Sequence, residues 1–242
     1  MLLVCSVAGL ALLPALPPAA RPMSRPAPSG PSIRPQPLAP EPPPLSPVDE
    51  LLLALFRREL RAQTGVYDSR PGFEGMLSEL REYQLAHNVK EQADCSEAIM
   101  GALGGPIPEI FNHVAAKRSW APGALAICTT FFLRFLVGDM NLTQRAPGDV
   151  RGGGVLIRRC KVLEQGGCKG LCVNMCKIPT ERYFADRWGT PVTMSPNFET
   201  LQCQLSFGVA PPPKEELESL LPAGCLNGCA LAADLLRKPP RA

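Results

Sequence analysis

The segment spanning residues 160–176, CKVLEQGGCKGLCVNMC, limits what this chain can fold into more than any other. Its four cysteines are spaced C-x7-C-x3-C-x3-C. On an α-helix each four-residue step overshoots a full turn by only ~40°, so Cys168, Cys172 and Cys176 are predicted to share one stripe. Gly166-Gly167 breaks the run before that helix, and Pro179 disfavours helical geometry at Ile178, which places the predicted helix end near Lys177. Arg151, Arg158, Arg159, Lys161, Lys169 and Lys177 stand against Glu164 alone, and cations beside thiols favour the thiolate. Three readings are compatible with the segment: buried free thiols acting as small hydrophobes, disulfides to partners elsewhere, and a metal or iron–sulfur site. The spacing matches neither the C-x2-C of zinc ribbons nor the common ferredoxin run.

Composition removes several function classes. A net charge of +3 over 242 residues gives no basic stripe for nucleic acid. With His87 and His113 the only histidines, a histidine-rich metal site or a Ser-His-Asp hydrolase has little material. Each histidine has a glutamate four residues away, Glu91 and Glu109, but a single such pair reads as structural. Cys95 and Cys128 read as buried small residues.

The chain divides into three parts. Residues 1–46 form the first part: fourteen of the chain's 28 prolines lie in residues 1–47, with no acid before Glu41 and only Arg21, Arg25 and Arg34 as earlier charges. Such a leader resembles an organelle transit peptide followed by an extended proline-rich linker; its rival, a secretory signal over the apolar first 16 residues, lacks a basic start. Residues 47–145 read as helical. Ser46, Pro47 and Asp49 form a helix start, Leu52, Leu55, Phe56 and Leu60 its apolar face, and Gly65 its stop. Further helices are predicted over 73–85, 91–103 and 107–118. Residues 121–138, APGALAICTTFFLRFLVG, are too short and too charged at Arg134 to span a bilayer and read as a central core helix. Alternatively Phe131, Phe132 and Phe135 line a lipophilic cleft or press on a membrane surface. Asn141-Leu142-Thr143 is a glycosylation sequon, relevant only to a secreted chain. Residues 146–235 form the cysteine-rich part, with strands predicted in VLIRRCKVL, TPVTM and CQLSFG, a short helix over 180–188, and a second thiol pair, Cys225 and Cys229. The fold class expected is therefore α+β: a mainly helical N-terminal part, then a cysteine-rich part with a few short strands.

The blocks CKGLCVNMCKIPT and PNF…C…FGVAPPP resemble the plastid β-carotene isomerases of the "dwarf twenty-seven" type, closely over residues 150–213 and more loosely through the helical part. The resemblance implies interconversion of all-trans- and 9-cis-β-carotene, entry into strigolactone biosynthesis, a plastid location and iron. It places the family's cysteine block on Cys160, Cys168, Cys172 and Cys176, with Asn174, Lys177 and Pro179, and its second block on Asn197, Phe198 and Cys203. On that basis the expected metal ligands are Cys160, Cys168, Cys172, Cys176 and Cys203, holding an iron–sulfur cluster or thiolate-bound iron. Cys172 and Cys176 are the expected catalytic thiols, and Phe131, Phe132 and Phe135 the substrate-binding residues. The implied partners are a carotenoid and the periphery of plastid membranes, with no nucleic acid. Rotation about a conjugated double bond needs its order to fall transiently, which a redox metal beside a lipophilic cleft would permit. Two alternatives remain: a non-enzymatic iron-binding or electron-transfer protein, and a secreted disulfide-stapled domain.

Overall fold

The structure, a computed structural model, describes residues 45–145 and 152–213. The leader and the pair Cys225 and Cys229 lie outside the described residues. Helices occupy the N-terminal part and four short strands the C-terminal part, the α+β class that the sequence predicts.

Helix α1 (Pro47–Thr64) starts as its sequence requires. The Ser46 hydroxyl accepts the Asp49 N–H while the Asp49 carboxylate accepts the Ser46 N–H, a reciprocal cap that satisfies two otherwise orphaned donors. At the other end Gly65 adopts φ 68° and donates to Arg61 O, a left-handed cap that suits glycine. The predicted stripe docks on the core through Leu52, Phe56 and the fully buried Leu60, and the buried face extends one position beyond it. Leu53, Arg57 and Leu60 point inward, because Arg57 forms two hydrogen bonds with the fully buried Glu79 of α2 (Gly72–Ala86). Arg61 and the Asp68 N–H complete that carboxylate's shell at 2.8 and 2.9 Å. A buried charge is tolerable when so fully partnered.

Helix α3 (Val89–Gly104) is capped by Asn88 and Glu91. Glu91 is therefore spent on a cap, and His87 stacks on Tyr83 with centroids 3.9 Å apart, so this pair is structural. Helix α4 (Ile107–Val114) follows, its Glu109 paired with Arg187 rather than with His113. The apolar segment is not one core helix. It forms α5 (Ala121–Phe132) and a single turn α6 (Arg134–Val137), with Leu133 between them. Only one face of α5 is buried: Ala121, Leu125, Ala126 and Thr129. Cys128 is exposed, not buried as expected.

Four antiparallel strands form one sheet in the order β1-β2-β4-β3. They are β1 (Met140–Thr143), β2 (Gly154–Ile157), β3 (Val192–Pro196) and β4 (Cys203–Phe207). The sequon thus lies in β1, a strand that the sequence reading did not anticipate. Gly154 passes so close to Gln144 O that no side chain fits there. The strand predicted to run through VLIRRCKVL stops at Ile157, and residues 161–166 form helix α7 (Lys161–Gly166). Helix α5 packs on β1, β2 and β4, and the helix carrying Phe184 packs on β3. Phe207, fully buried, meets the Phe184 ring at 5.4 Å.

The predicted helix stop at Lys177 is overturned. Helix α8 (Lys169–Cys172) runs through a π-helical turn at Val173–Lys177 into α9 (Ile178–Asp186). An α-helical Pro179 would forfeit its bond to Met175 O and clash with that carbonyl. In the π-turn the Ile178 N–H reaches Val173 O, five residues back, so the ladder is already offset where the proline enters.

Candidate functional site

Four of the seven described cysteines meet between one end of the sheet and the π-containing helix. Cys203 opens β4, opposite Ile157 of β2, and Cys160 follows β2 with its N–H on Leu201 O at 2.8 Å. The β3–β4 connection fixes that contact. Asn197 Oδ1 accepts the Glu199 and Thr200 N–H groups at 2.9 and 3.0 Å, and Leu201 adopts φ 60°, the only positive φ among described non-glycine residues. Lys169 lies over the neighbouring Phe198 ring, with its Nζ 5.2 Å from the centroid. The Asn-Phe of the second motif block is thus a turn that delivers Cys203 to Cys160.

Cys172 and Cys176 come from the helix. Burial pushes the Cys172 thiol far up, and Cys176, Cys160 and Cys203 push it further. Cys203 is raised by burial, then by Cys176 and Cys160; Cys176 by burial, then by Cys160. Cys160 is raised by its burial too. These mutual influences mark the four as neighbours, with burial working against the thiolate form that the basic surround favours. The cations are engaged elsewhere: Lys161 lies over Phe73, Arg159 pairs with Glu164, and Lys169 lies over Phe198. Lys177 alone among them favours the thiolates of Cys172 and Cys203.

Cys168 stands apart from the predicted stripe. Its backbone is extended at the residue before α8, and its Sγ lies 3.6 Å from Gln84 Nε2. Gln84 belongs to a buried polar chain, since Gln92 Nε2 donates to Gln84 O at 2.8 Å and Gln92 Oε1 accepts from Asn174 Nδ2 at 3.1 Å. Of the three phenylalanines, Phe135 is core, 5.9 Å from Phe56 centre to centre, whereas Phe131 and Phe132 lie on the surface.

Sequence reasoning named Lys177 but missed its partner. Lys177 and Glu181 are both buried and paired, and Lys177 Nζ donates to Met194 O at 2.7 Å while Glu181 Oε1 accepts the Met194 N–H at 2.7 Å. Strand β3 is a sheet edge, so this ion pair closes the open edge at Met194 directly beside the thiols. The i,i+4 spacing of Lys177 and Glu181 was the available signal.

Four thiols are a soft donor set of the kind iron takes. Among the described residues, however, no three cysteine, histidine or carboxylate side chains converge tightly enough to hold an ion. The thiols are neighbours in chemistry but not a preformed cage.

The comparisons with known proteins fall on this same region. The family model for the C-terminal domain of β-carotene isomerase D27-like proteins matches residues 135–216. A chloroplastic β-carotene isomerase D27 of Medicago truncatula is 28% identical over 166 residues, 68% of this chain and 66% of that protein. Its Arabidopsis thaliana counterpart is 28% identical over 139 residues, 55% of this chain and 52% of that protein. Each match covers less than two thirds of the relative's length. No solved structure matches. The matched span of 135–216 runs from Phe135 past β4 and takes in all four clustered thiols and the Lys177–Glu181 pair, so over this C-terminal stretch the chain is similar to the β-carotene isomerase D27-like proteins.

Proposed function

We propose that the protein is a plastid carotenoid isomerase that interconverts all-trans- and 9-cis-β-carotene at the Cys160–Cys172–Cys176–Cys203 cluster. The observation that carries this reading is the coincidence of the family match with the place, among the described residues, where three buried thiols, the partly buried Cys176 and a buried ion pair adjoin. Both relatives are named chloroplastic β-carotene isomerases, which supports the substrate and the location.

Iron held by these thiols would supply a one-electron partner to the conjugated system. The chain's own residues set the conditions. Burial of Cys160, Cys172 and Cys203 excludes water from the place of reaction. The Asn197 turn and the π-turn hold strand and helix thiols in register, and the Lys177–Glu181 pair fixes the helix to the sheet edge. Metal uptake has to draw the thiols inward and displace their protons, because a thiolate is the ligand form. Cys168, held by Gln84, is the least suited of the five expected ligands.

The test is a pair of serine variants. Cys172→Ser is expected to lose both bound iron and isomerisation, whereas Cys95→Ser, whose thiol lies on α3 beside Tyr83, keeps both. Full iron and full activity in Cys172→Ser would move the site elsewhere. Retained iron with lost activity would make the thiol itself the reacting group.

A further inference from the structure

Helices α4 and α5 expose a face that soluble packing does not explain. On α4, Ile107, Ile110 and Val114 recur at i, i+3 and i+7, all more than half exposed, with Val114 at 67%. On α5 the stripe Trp120, Ile127 and Phe131 recurs at i, i+7 and i+11, and Phe131 is 74% and Phe132 61% exposed. The stripe is ~17 Å long at the helical rise. The two helices are joined through Phe111, whose ring meets Trp120 edge-on at 6.3 Å. A helix that is apolar on its packed side and apolar again on its outer side has a second partner to meet.

Charge indicates which partner. Between residues 104 and 138 the only acid is Glu109, and it is paired with Arg187. The turn joining α4 to α5 carries Lys117 and Arg118, both exposed and with no ion pair among the described residues. Arg134 follows at the far end, facing Asp139 at 3.4 Å. Exposed aromatic and aliphatic side chains flanked by cations, with no acid free to repel anions, suit an interfacial contact with negatively charged headgroups. No helix among the described residues is long and apolar enough to cross a membrane, so the contact is peripheral.

We propose that the α4–α5 face is a docking surface for an anionic lipid bilayer, with Ile107, Ile110, Val114, Ile127, Phe131 and Phe132 inserted at the headgroup boundary and Lys117 and Arg118 against the headgroups. The proposal deepens the isomerase reading, on which it rests only for the cargo: a hydrocarbon substrate dissolved in lipid must be met at the lipid.

The experiment is vesicle sedimentation with the full chain and no carotenoid, so failure here leaves the isomerase reading standing, and an inactive protein leaves this one standing. Vesicles of phosphatidylcholine alone are compared with vesicles containing phosphatidylglycerol. The expected result is binding to the anionic vesicles that weakens with salt. Phe131→Ser with Phe132→Ser should lower the partition coefficient at least ~tenfold, since each buried phenylalanine contributes about that much. Lys117→Glu with Arg118→Glu should lower it by ~tenfold or more on anionic vesicles, with little change on neutral ones. All four positions are exposed, and unchanged melting curves establish that the variants are folded. Absence of wild-type binding, or equal binding by the variants, overturns the proposal. A wild-type dimer that Phe131→Ser with Phe132→Ser dissociates, without vesicle binding, would assign the face to a second copy instead.

Discussion

Replacing Lys177 by methionine tests whether the buried ion pair holds the cysteine region together. Met matches the lysine stem in length and leaves the ammonium out. The change removes the donor to Glu181 and the donor to Met194 O, leaving the Glu181 carboxylate buried with the Met194 N–H as its remaining partner. Breaking a buried pair from one side costs about 3–5 kcal/mol, because a charge is left uncompensated in a poorly solvating place. For a chain of this size each kcal/mol lowers Tm by ~2–4 °C, so Lys177→Met should melt ~6–20 °C below wild type. Adding Glu181→Leu removes the stranded carboxylate. The double variant should recover at least ~1 kcal/mol of the loss, although Met194 N–H and C=O then lack these partners. The assay is thermal unfolding followed by far-UV circular dichroism, backed by urea titration. A drop below ~2 °C for Lys177→Met would show that the pair is not buried and coupled as described. A double variant less stable than Lys177→Met would show the same by the opposite route, since coupling requires the second change to relieve the first.

Two further expectations concern the helical part. Burial alone would raise the Glu79 carboxyl, but hydrogen bonds from Arg57, the Asp68 N–H and Arg61 outweigh it and hold the group below the ordinary glutamate range. A depressed carboxyl stabilises the fold above its unfolded pKa and loses that contribution as pH falls, so urea stability should decline below about pH 4–5, and Glu79→Gln should flatten that acid limb while lowering stability at neutral pH. Gly75 in α2 faces the Arg57 guanidinium and Arg70 O, with no room for a methyl group. Gly75→Ala should therefore destabilise by about 1–3 kcal/mol, seen as a lower urea midpoint, although alanine is the better helix former. The serine variants and the vesicle measurements described above complete the set.

Much of the fold was legible because local chemistry decides it. Ser46-Pro47 with Asp49 starts α1, Gly65 ends it, and short apolar runs around Val192 and Leu205 pair as β3 and β4. The errors occur where tertiary contacts override local rules. The inward face of α1 is wider than its apolar stripe because Arg57, a charged residue, is drawn in by Glu79 from 22 positions away. Strand β1 has no distinctive sequence, and it exists because β2 offers it an edge. The Pro179 rule failed because a π-turn, rather than a helix end, accommodated the ring.

The sequence brought the cysteines to attention, but not how they are arranged. A regular helix predicts that Cys168, Cys172 and Cys176 act together, yet the backbone is still extended at Cys168, and its thiol goes to Gln84. The fourth place in the group is taken by Cys203, brought in from 27 positions beyond Cys176 by the Asn197 turn. The surplus of basic residues around the segment pointed to thiolates. Four of those six cations are engaged by two aromatic rings and two carboxylates, and burial outweighs the pull that Lys177 still exerts on Cys172 and Cys203. A sequence shows how many cations lie near a cysteine, not which way they face. Neutral thiols grouped behind a closed sheet edge would give up their protons to solvent as a soft metal bound, whereas four preformed thiolates at that spacing would repel one another and open the fold. The paired Lys177 and Glu181 add no net charge to that compartment, and this is why the edge of β3 can be closed by ions without turning the thiols into thiolates beforehand.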